Sequence, residues 1–341
     1  MKVIVKDIAK AAGVSPTAVS LVLNDKPSRL AEGTKERILQ VAREMQFQLD
    51  GKKTSGGFEG HTKTLGLIVP GEGSAFHEEL AREVHRYAAG TGYVVFQCSV
   101  RNDGEFCAQA LESLSVKNVD GLIVTVPADI GKEHRLIKVL KTLQDDGVPL
   151  VLLDRAAYSV FCDFVTADNK YGAKMAVEYL IDRGHTKIGC LCGREEVYTA
   201  RKRMEGYREA MAMRRLPVEE NLIICGDFSM EAGREGTKAL LEQGVTAIFA
   251  ANDTLAQGAY QCAKEQNLSI PDELSVIGYD NTRLCASLQP PLTSVDQNIP
   301  MMASKAVDLL VQNMLSAEEP HAARNYYFSP VLAERDSVRS R

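Results

Sequence analysis

No apolar run in the 341-residue chain approaches the roughly 18 residues needed to cross a bilayer. The opening MKVIVKDIAK lacks the long apolar core of a secretory signal, so the chain is expected to stay in the cytoplasm and off the membrane. Eight cysteines are present, but only Cys190 and Cys192 stand close together. That C-L-C spacing matches neither a zinc site nor a disulfide framework, and the cysteines read as reduced and mostly buried. Six histidines are scattered, which leaves no ligand cluster for a metal. A P-loop, a G-x-S-x-G elbow and an H-E-x-x-H helix are all missing. GEGSAF, residues 71–76, resembles a dinucleotide fingerprint, but its third glycine is absent and no acidic ribose partner follows at convincing spacing. Neither catalysis nor a cofactor is therefore expected.

Charge is placed unevenly. From Met1 to Lys63 there are 11 Lys or Arg against 7 Asp or Glu, a balance of +4, so the remainder carries −9 to reach the chain's −5. A basic head on an acidic body suits a small nucleic-acid-binding module attached to a larger part that repels the polyanion. The length allows about two domains and a small extra piece.

The head opens with DIAKAAGVSPTAVSLVLN, residues 7–24. Ile8, Ala9 and Ala12 share one helical face, and Gly13 falls where a left-handed residue would turn the chain. Ser15 can cap a second helix. Pro16 fits its first position because its missing N–H would be unpaired there anyway. Val19, Val22 and Leu23 make the buried stripe; Thr17, Ala18 and Leu21 lie opposite. This is a helix-turn-helix whose second helix can enter a major groove, with Ser15, Pro16, Thr17, Ala18 and Leu21 towards base edges and Ser20 and Asn24 towards phosphates. Residues 33–46 form a third helix, with Ile38, Val41, Ala42 and Met45 covering the other two. Residues 48–64, QLDGKKTSGGFEGHTKT, read as a linker.

From Leu65 the pattern alternates between short β-branched runs and helix-length stretches. LGLIVP, GYVVFQCS, VDGLIVTV and PLVLLDR are followed by IGCLCG, LIICGD, TAIFAAND and LSVIGYD. Continuous apolar runs of this kind mark parallel sheets buried on both faces, so the body is expected to be two doubly wound α/β lobes in tandem. In such sheets ligands bind beyond the carboxyl ends of the strands. There the sequence places Phe76 and His77, Asp154 and Arg155, Asn252 and Asp253, and Asp280 and Asn281, with Thr199 and Arg203 at the start of the helix after IGCLCG. An aromatic ring with carboxylates, amides and guanidiniums suits a neutral polyhydroxyl ligand, because each hydroxyl both donates and accepts. Other roles are open: Asp280 and Asn252 could cap the following helices, Arg155 could bridge the lobes, His77 could be a surface histidine, and Phe228 could be either a second stacking ring or core.

KDIAKAAGVSPTAVSLVLN, TKERILQVAREMQF, LGLIVP, VIGYDN and VLAERDSV together resemble the LacI/GalR (lac-repressor-like) family of bacterial transcription regulators across nearly the whole chain. The resemblance implies an α/β fold with an N-terminal three-helix helix-turn-helix DNA-binding head plus two periplasmic-binding-protein-like, doubly wound parallel-sheet lobes. The head would span 1–47, the hinge linker 48–64 and the effector-binding and dimerisation domain 65–341. Its lobes would be about 65–160 with 296–324, and about 161–295 with 325–341, joined by crossings near 156–165, 291–296 and 324–330. The resemblance also places Phe76, Asp154, Arg155, Arg203, Asn252, Asp280 and Gln297 around the effector.

The chain departs from the family's pattern at three places. Ile4 stands where a capping Thr is usual. Leu21 replaces a hydrogen-bonding side chain and offers a base only apolar contact. The hinge's usual Ala-Arg-x-Leu falls on Lys53, Thr54, Ser55 and Gly56, so the wedging Leu is lost, and Gly56 and Gly57 disfavour a hinge helix by about 1 kcal/mol each. Less operator bending and more dependence on phosphate contacts are expected, with Phe58 the next hinge residue to test. The expected function is a transcription repressor acting as a homodimer on a pseudo-palindromic operator and controlled by a sugar or sugar derivative between the lobes. Two alternatives are the same DNA role under a phosphorylated carrier-protein partner, and a sugar-binding protein without a DNA role.

Overall fold

The computed structural model describes residues 5–23, 30–45, 62–71, 74–100, 102–116, 119–128, 134–157, 159–315 and 322–341. Asn24 and the hinge positions Lys53 to Phe58 lie outside them, as does Ile4. The chain divides into two compact units, 1–61 and 62–341.

In the first unit, α1 (Val5–Ala12), α2 (Pro16–Leu23) and α3 (Glu32–Glu44) close on Ile8, Ala9, Ala12, Val19, Leu23, Ile38 and Ala42. Val22, Val41 and Met45 pack at its margin, half-buried. The turn works as its residues require. Gly13 adopts φ +65°, Val14 N–H donates to the Ala9 carbonyl at 3.0 Å, and Ser15 Oγ accepts from Ala18 N–H at 3.1 Å.

The second unit begins with β1 (Thr64–Pro70), α4 (Ala75–Gly90), β2 (Val94–Val100), α5 (Gly104–Val116), β3 (Gly121–Val124), α6 (His134–Asp145), β4 (Leu150–Leu153) and β5 (Asp163–Ala167). It continues with α7 (Asn169–Asp182), β6 (Ile188–Gly193), α8 (Tyr198–Met213), β7 (Ile223–Gly226), α9 (Met230–Glu242), β8 (Ala247–Ala250), α10 (Asp253–Glu265) and β9 (Ser275–Asp280). The closing elements are α11 (Leu284–Ser287), β10 (Thr293–Asp296), α12 (Ile299–Leu315), β11 (Asn325–Phe328) and β12 (Val331–Ala333). Two six-stranded sheets result, ordered β11-β5-β4-β3-β1-β2 and β12-β10-β9-β8-β6-β7. Every described pairing is parallel except β10 with β12. Apolar side chains on both faces of the strands drive this. In β1, Leu65, Leu67 and Val69 pack among residues of α4 and α12, while Ile68 packs among residues of α5 and α6.

The sheets move the lobe boundaries read from the sequence. Residues 161–167 were expected in the second lobe, yet β5 pairs with β4 from Val151↔Asp163 onwards. Residues 325–328 were likewise placed there, but β11 pairs with β5 in the first sheet. The chain therefore crosses after Ala167, after Asp296 and after Phe328. The amino-terminal end of β5 is held by a buried carboxylate: Asp163 accepts from Arg324 N–H at 2.8 Å, from Arg324 Nη2 at 2.6 Å and from Asn313 Nδ2 at 3.1 Å.

Helices α7 and α8 pack closely because Gly206 has no side chain. A Cβ there would strike the Lys170 carbonyl oxygen and lie 2.9 Å from both Ala173 Cβ and Lys174 N. Backbone cannot yield as a side-chain tip does, so Gly206→Ala is expected to destabilise the fold by about 1–3 kcal/mol, the usual range for overpacking. Urea unfolding checks this, and an unchanged midpoint would contradict it.

Candidate functional site

On the head, Ser15, Pro16, Thr17 and Ser20 are exposed, and Ala18 and Leu21 are half-buried, on the side of α2 turned from the Val19 and Leu23 core. These side chains are small, apolar or hydroxylic. An Arg at position 21 could bind a guanine edge in bidentate fashion, worth about 1–3 kcal/mol of discrimination. Leu21→Arg is thus expected to change the half-site recovered by binding-site selection more than it changes folding. Recovery of the same site would contradict this placement.

In the second unit a cavity of about 580 Å³ lies between the carboxyl ends of the two sheets. It is lined by Phe76, His77, Asp154 and Arg155 from the first lobe and by Thr199, Arg203, Phe228, Asn252 and Asp280 from the second.

Local backbone aims these groups. Ser74 caps α4 by accepting from His77 N–H at 3.3 Å, and its Oγ also lies 2.8 Å from His77 Nδ1. His77 Nε2 then meets Asp154 Oδ2 at 3.2 Å. His77 is therefore buried against the carboxylate and is no surface histidine. Asp154 leaves β4 at φ +71°, a conformation Asp tolerates and β-branched residues resist. Arg155 Nη1 donates to Asn102 Oδ1 at 3.1 Å and to the Val126 carbonyl at 3.3 Å, and its Nε lies 3.7 Å from Asp154 Oδ2. These partners all belong to the first lobe, so Arg155 is no bridge between lobes.

Across the cavity Arg203 is held on several sides. Its Nε donates to Asn169 Oδ1 at 2.8 Å, its Nη1 lies 3.1 Å from Asp280 Oδ1 and bonds the Ala251 carbonyl, and its guanidinium covers the Tyr279 ring at 3.8 Å. Asp280 ends β9 at φ +110°. It does not cap α11; its Oδ1 instead accepts from Gln297 Nε2 at 2.6 Å. Gln297 is fully buried and is not part of the cavity wall: it stands behind Asp280 as a support. Asn252 does cap α10, accepting from Leu255 N–H at 2.8 Å, and also lines the cavity. Phe228 is half-buried, with its ring over Gly193, where a Cβ would collide with it. It both packs on the core and faces the cavity.

Burial dominates the electrostatics. It drives the His77 imidazole down, against the raising bond to Asp154, so the ring is neutral at pH 7. Burial pushes the Asp154 carboxyl up, but the bond from His77 and the Arg155 and Arg203 charges together hold it below its ordinary value. For Asp280 burial wins over the pull of Arg203, and the carboxyl rises to about 8. Asp154 Oδ1 and Arg155 Nε are buried without a hydrogen-bond partner, as few buried polar groups in folded proteins are.

The sequence reading missed Asn102, Arg194 and Asp227, which line the same cavity; Arg194 Nη2 meets Asp227 Oδ1 at 2.7 Å. Each follows a strand by one or two residues, so inspecting every strand end would have found them. The cysteines are all free, but Cys225 is exposed.

A helix-turn-helix head and a two-lobed body with a ligand-sized cleft, carried on one chain, define a ligand-responsive DNA-binding regulator. The chain belongs to the LacI family of bacterial regulatory proteins. Residues 4–49 match the family described as bacterial regulatory proteins, lacI family, and residues 177–338 match a periplasmic binding protein-like domain. The HTH-type transcriptional regulator DegA of Bacillus subtilis (strain 168) is 33% identical over 313 residues, covering 89% of each chain. The ribose operon repressor of Escherichia coli (strain K12) is 30% identical over 335 residues, covering 98% of this chain and 99% of its own. The lac repressor dimer bound to operator and the anti-inducer ONPF superposes with a TM-score of 0.70 at 25% identity, covering 100% of both chains. The protein is accordingly a DNA-binding transcription regulator. Among the described residues no helix is long and apolar enough to cross a membrane.

Proposed function

We propose that the protein is a cytoplasmic repressor without catalytic activity. It binds a pseudo-palindromic operator as a homodimer and releases or retains it according to a sugar or sugar derivative held in the cleft. The relatives named for a ribose operon and for the lac system support this reading, as does the symmetry that a two-fold protein imposes on its half-sites. The observation that carries it is the balance of the cavity wall. Among the described residues three arginines there (155, 194 and 203) face three aspartates (154, 227 and 280) and Glu196. With Asp280 pushed up to about 8, the wall is close to neutral at pH 7. Such a wall supplies donors and acceptors without selecting a net charge, as a polyol requires.

Ser15, Pro16, Thr17, Ala18, Ser20, Leu21 and Asn24 are proposed to meet DNA. Phe76, His77, Asp154, Arg155, Thr199, Arg203, Phe228, Asn252 and Asp280 are proposed to meet the effector, with Gln297 acting through Asp280. Thermal-shift screening against monosaccharides, with nucleobases as the contrast, tests the ligand class. A ligand at 100 times its Kd should add about 2.7 kcal/mol. A panel in which only nucleobases stabilise the protein would replace the sugar by a planar heterocycle.

A further inference from the structure

Three thiols stand in a row on the α8 face of the second sheet. Cys190 and Cys192 are separated by one residue along β6, so both project to the same face, and Cys192 Sγ donates to the Ala200 carbonyl of α8 at 3.3 Å. Cys225 on β7 is the register partner of Cys192, which puts its side chain on that face too. Cys190 and Cys192 are buried, but β7 is the edge strand of its sheet and Cys225 is exposed. The row therefore runs from core to solvent, with Cys192 in hydrogen-bonding reach of both neighbours. Cavity wall follows at once: Gly226, Asp227 and Phe228 come directly after Cys225, and Arg194 stands two positions after Cys192.

We infer that Cys192 and Cys225 form a reversible redox dithiol: a hydroperoxide reaching the sheet edge oxidises Cys225, Cys192 closes a disulfide with it, and the cross-link braces the cavity wall beyond the two strands. The Cys225 thiolate attacks the O–O bond and becomes a sulfenic acid, while the departing alkoxide takes up a proton. The Cys192 sulfur then displaces the sulfenic hydroxyl, which leaves as water with the Cys192 proton. Two thiols and one hydroperoxide thus give one disulfide, one alcohol and one water; with hydrogen peroxide the alcohol is a second water. Paired strands lie about 4.8 Å apart, inside the Cα separation of roughly 4.4–6.8 Å that a disulfide requires. Cys190 and Cys192, two residues apart on one strand, are about 6.6 Å apart, at the far end of that range. The neighbouring sulfurs push both thiols up, Cys190 above all for Cys192 and Cys192 for Cys225. Oxidation is therefore slow at neutral pH and gains about tenfold per pH unit as the thiolate fraction grows. In a reducing compartment such a bond is transient and serves sensing rather than stability.

The test exposes the reduced full chain to excess hydrogen peroxide at mildly alkaline pH, blocks the remaining thiols with N-ethylmaleimide in urea, and maps the peptides without reduction. Blockable thiols are expected to fall by two from eight, with the Cys192 and Cys225 peptides linked within one chain, and dithiothreitol is expected to restore all eight. Amide deuterium exchange across β7 is expected to slow about threefold or more in the oxidised protein, as a braced edge opens less often. Cys225→Ser, at an exposed position that folding tolerates, should prevent the link. Cys192→Ala should leave Cys225 as a sulfenic acid that dimedone labels. Three results overturn the dithiol: no loss of thiols, a loss that leaves Cys192 blockable, or a link joining Cys225 of two chains. A Cys192→Ala protein that dimedone does not label overturns the attack by Cys225, and a link that leaves exchange across β7 unchanged overturns the bracing of the wall. None of these outcomes depends on which ligand the cleft holds.

Discussion

Arg203→Met is expected to destabilise the folded protein by about 3–5 kcal/mol at about pH 9, the scale set by breaking a buried ion pair, and to abolish the response to the cleft ligand. Met keeps the length of the side chain but none of its donors. Asn169 Oδ1 and the Ala251 carbonyl each lose a buried bond, Tyr279 loses the cation over its ring, and Asp280 loses its counter-charge. The penalty should depend on pH, and the sign follows from Asp280. Burial raises its carboxyl to about 8 in the folded chain, whereas an unfolded carboxyl ionises near 4, by the ordinary value of about 3.9. Stability from this group is full below about pH 4 and is lost as pH rises through about 8. Arg203 opposes the rise, so removing it extends the loss to higher pH. Urea unfolding of Arg203→Met should therefore show a smaller deficit at about pH 6, where Asp280 stays protonated, than at about pH 9. Adding Asp280→Asn should flatten that difference. A deficit independent of pH would show that Asp280 does not ionise with Arg203 as described.

Asp154→Asn carries the second large effect, on ligand affinity rather than stability. Asn also tolerates positive φ, so the chain can keep its turn at φ +71°, and the amide can still meet His77. What is lost is a carboxylate whose Oδ1 is buried without a partner. Hydrogen bonds to charged groups contribute about 1.5–3 kcal/mol, so ligand affinity should fall roughly 10- to 100-fold. Operator affinity without ligand should stay within a few-fold, because the head has its own core. Calorimetry for the ligand and anisotropy for the operator read the two effects separately. Equal losses in both would show that Asp154 shapes the whole body rather than the ligand site.

Legibility in the sequence followed the apolar runs. β1, β3, β4, β6, β8 and β9 are short, largely apolar stretches buried on both faces; β2 and β7 carry similar runs although they are sheet edges and largely exposed or half-buried, and such runs announce themselves. β5, DFVTA, carries the buried Asp163 and Thr166; β10, TSVD, carries buried Thr293 and Ser294; β11 and β12 are edge strands of four and three residues. Several of their polar groups are satisfied by residues distant in sequence, as Asp163 is by Arg324, so no local pattern reveals them, and the lobe boundaries shifted with them. The same limit applied to the cleft. Phe76, Asp154, Arg155, Asn252 and Asp280 follow recognisable strands and were found. The inward turn of His77 depends on Ser74 and Asp154 together, and the withdrawal of Gln297 behind Asp280 depends on a bond across 17 positions.

Ligand in the cleft is proposed to govern the head's hold on DNA. This is tested most directly by fluorescence anisotropy of a labelled operator, obtained by binding-site selection, titrated with the full chain with and without the sugar giving the largest thermal shift. The expected result is a ligand-dependent change of about fivefold or more in operator affinity, the lower end of typical coupling between sites, which disappears in Asp154→Asn at the same ligand concentration. An operator affinity unchanged at saturating ligand would contradict it.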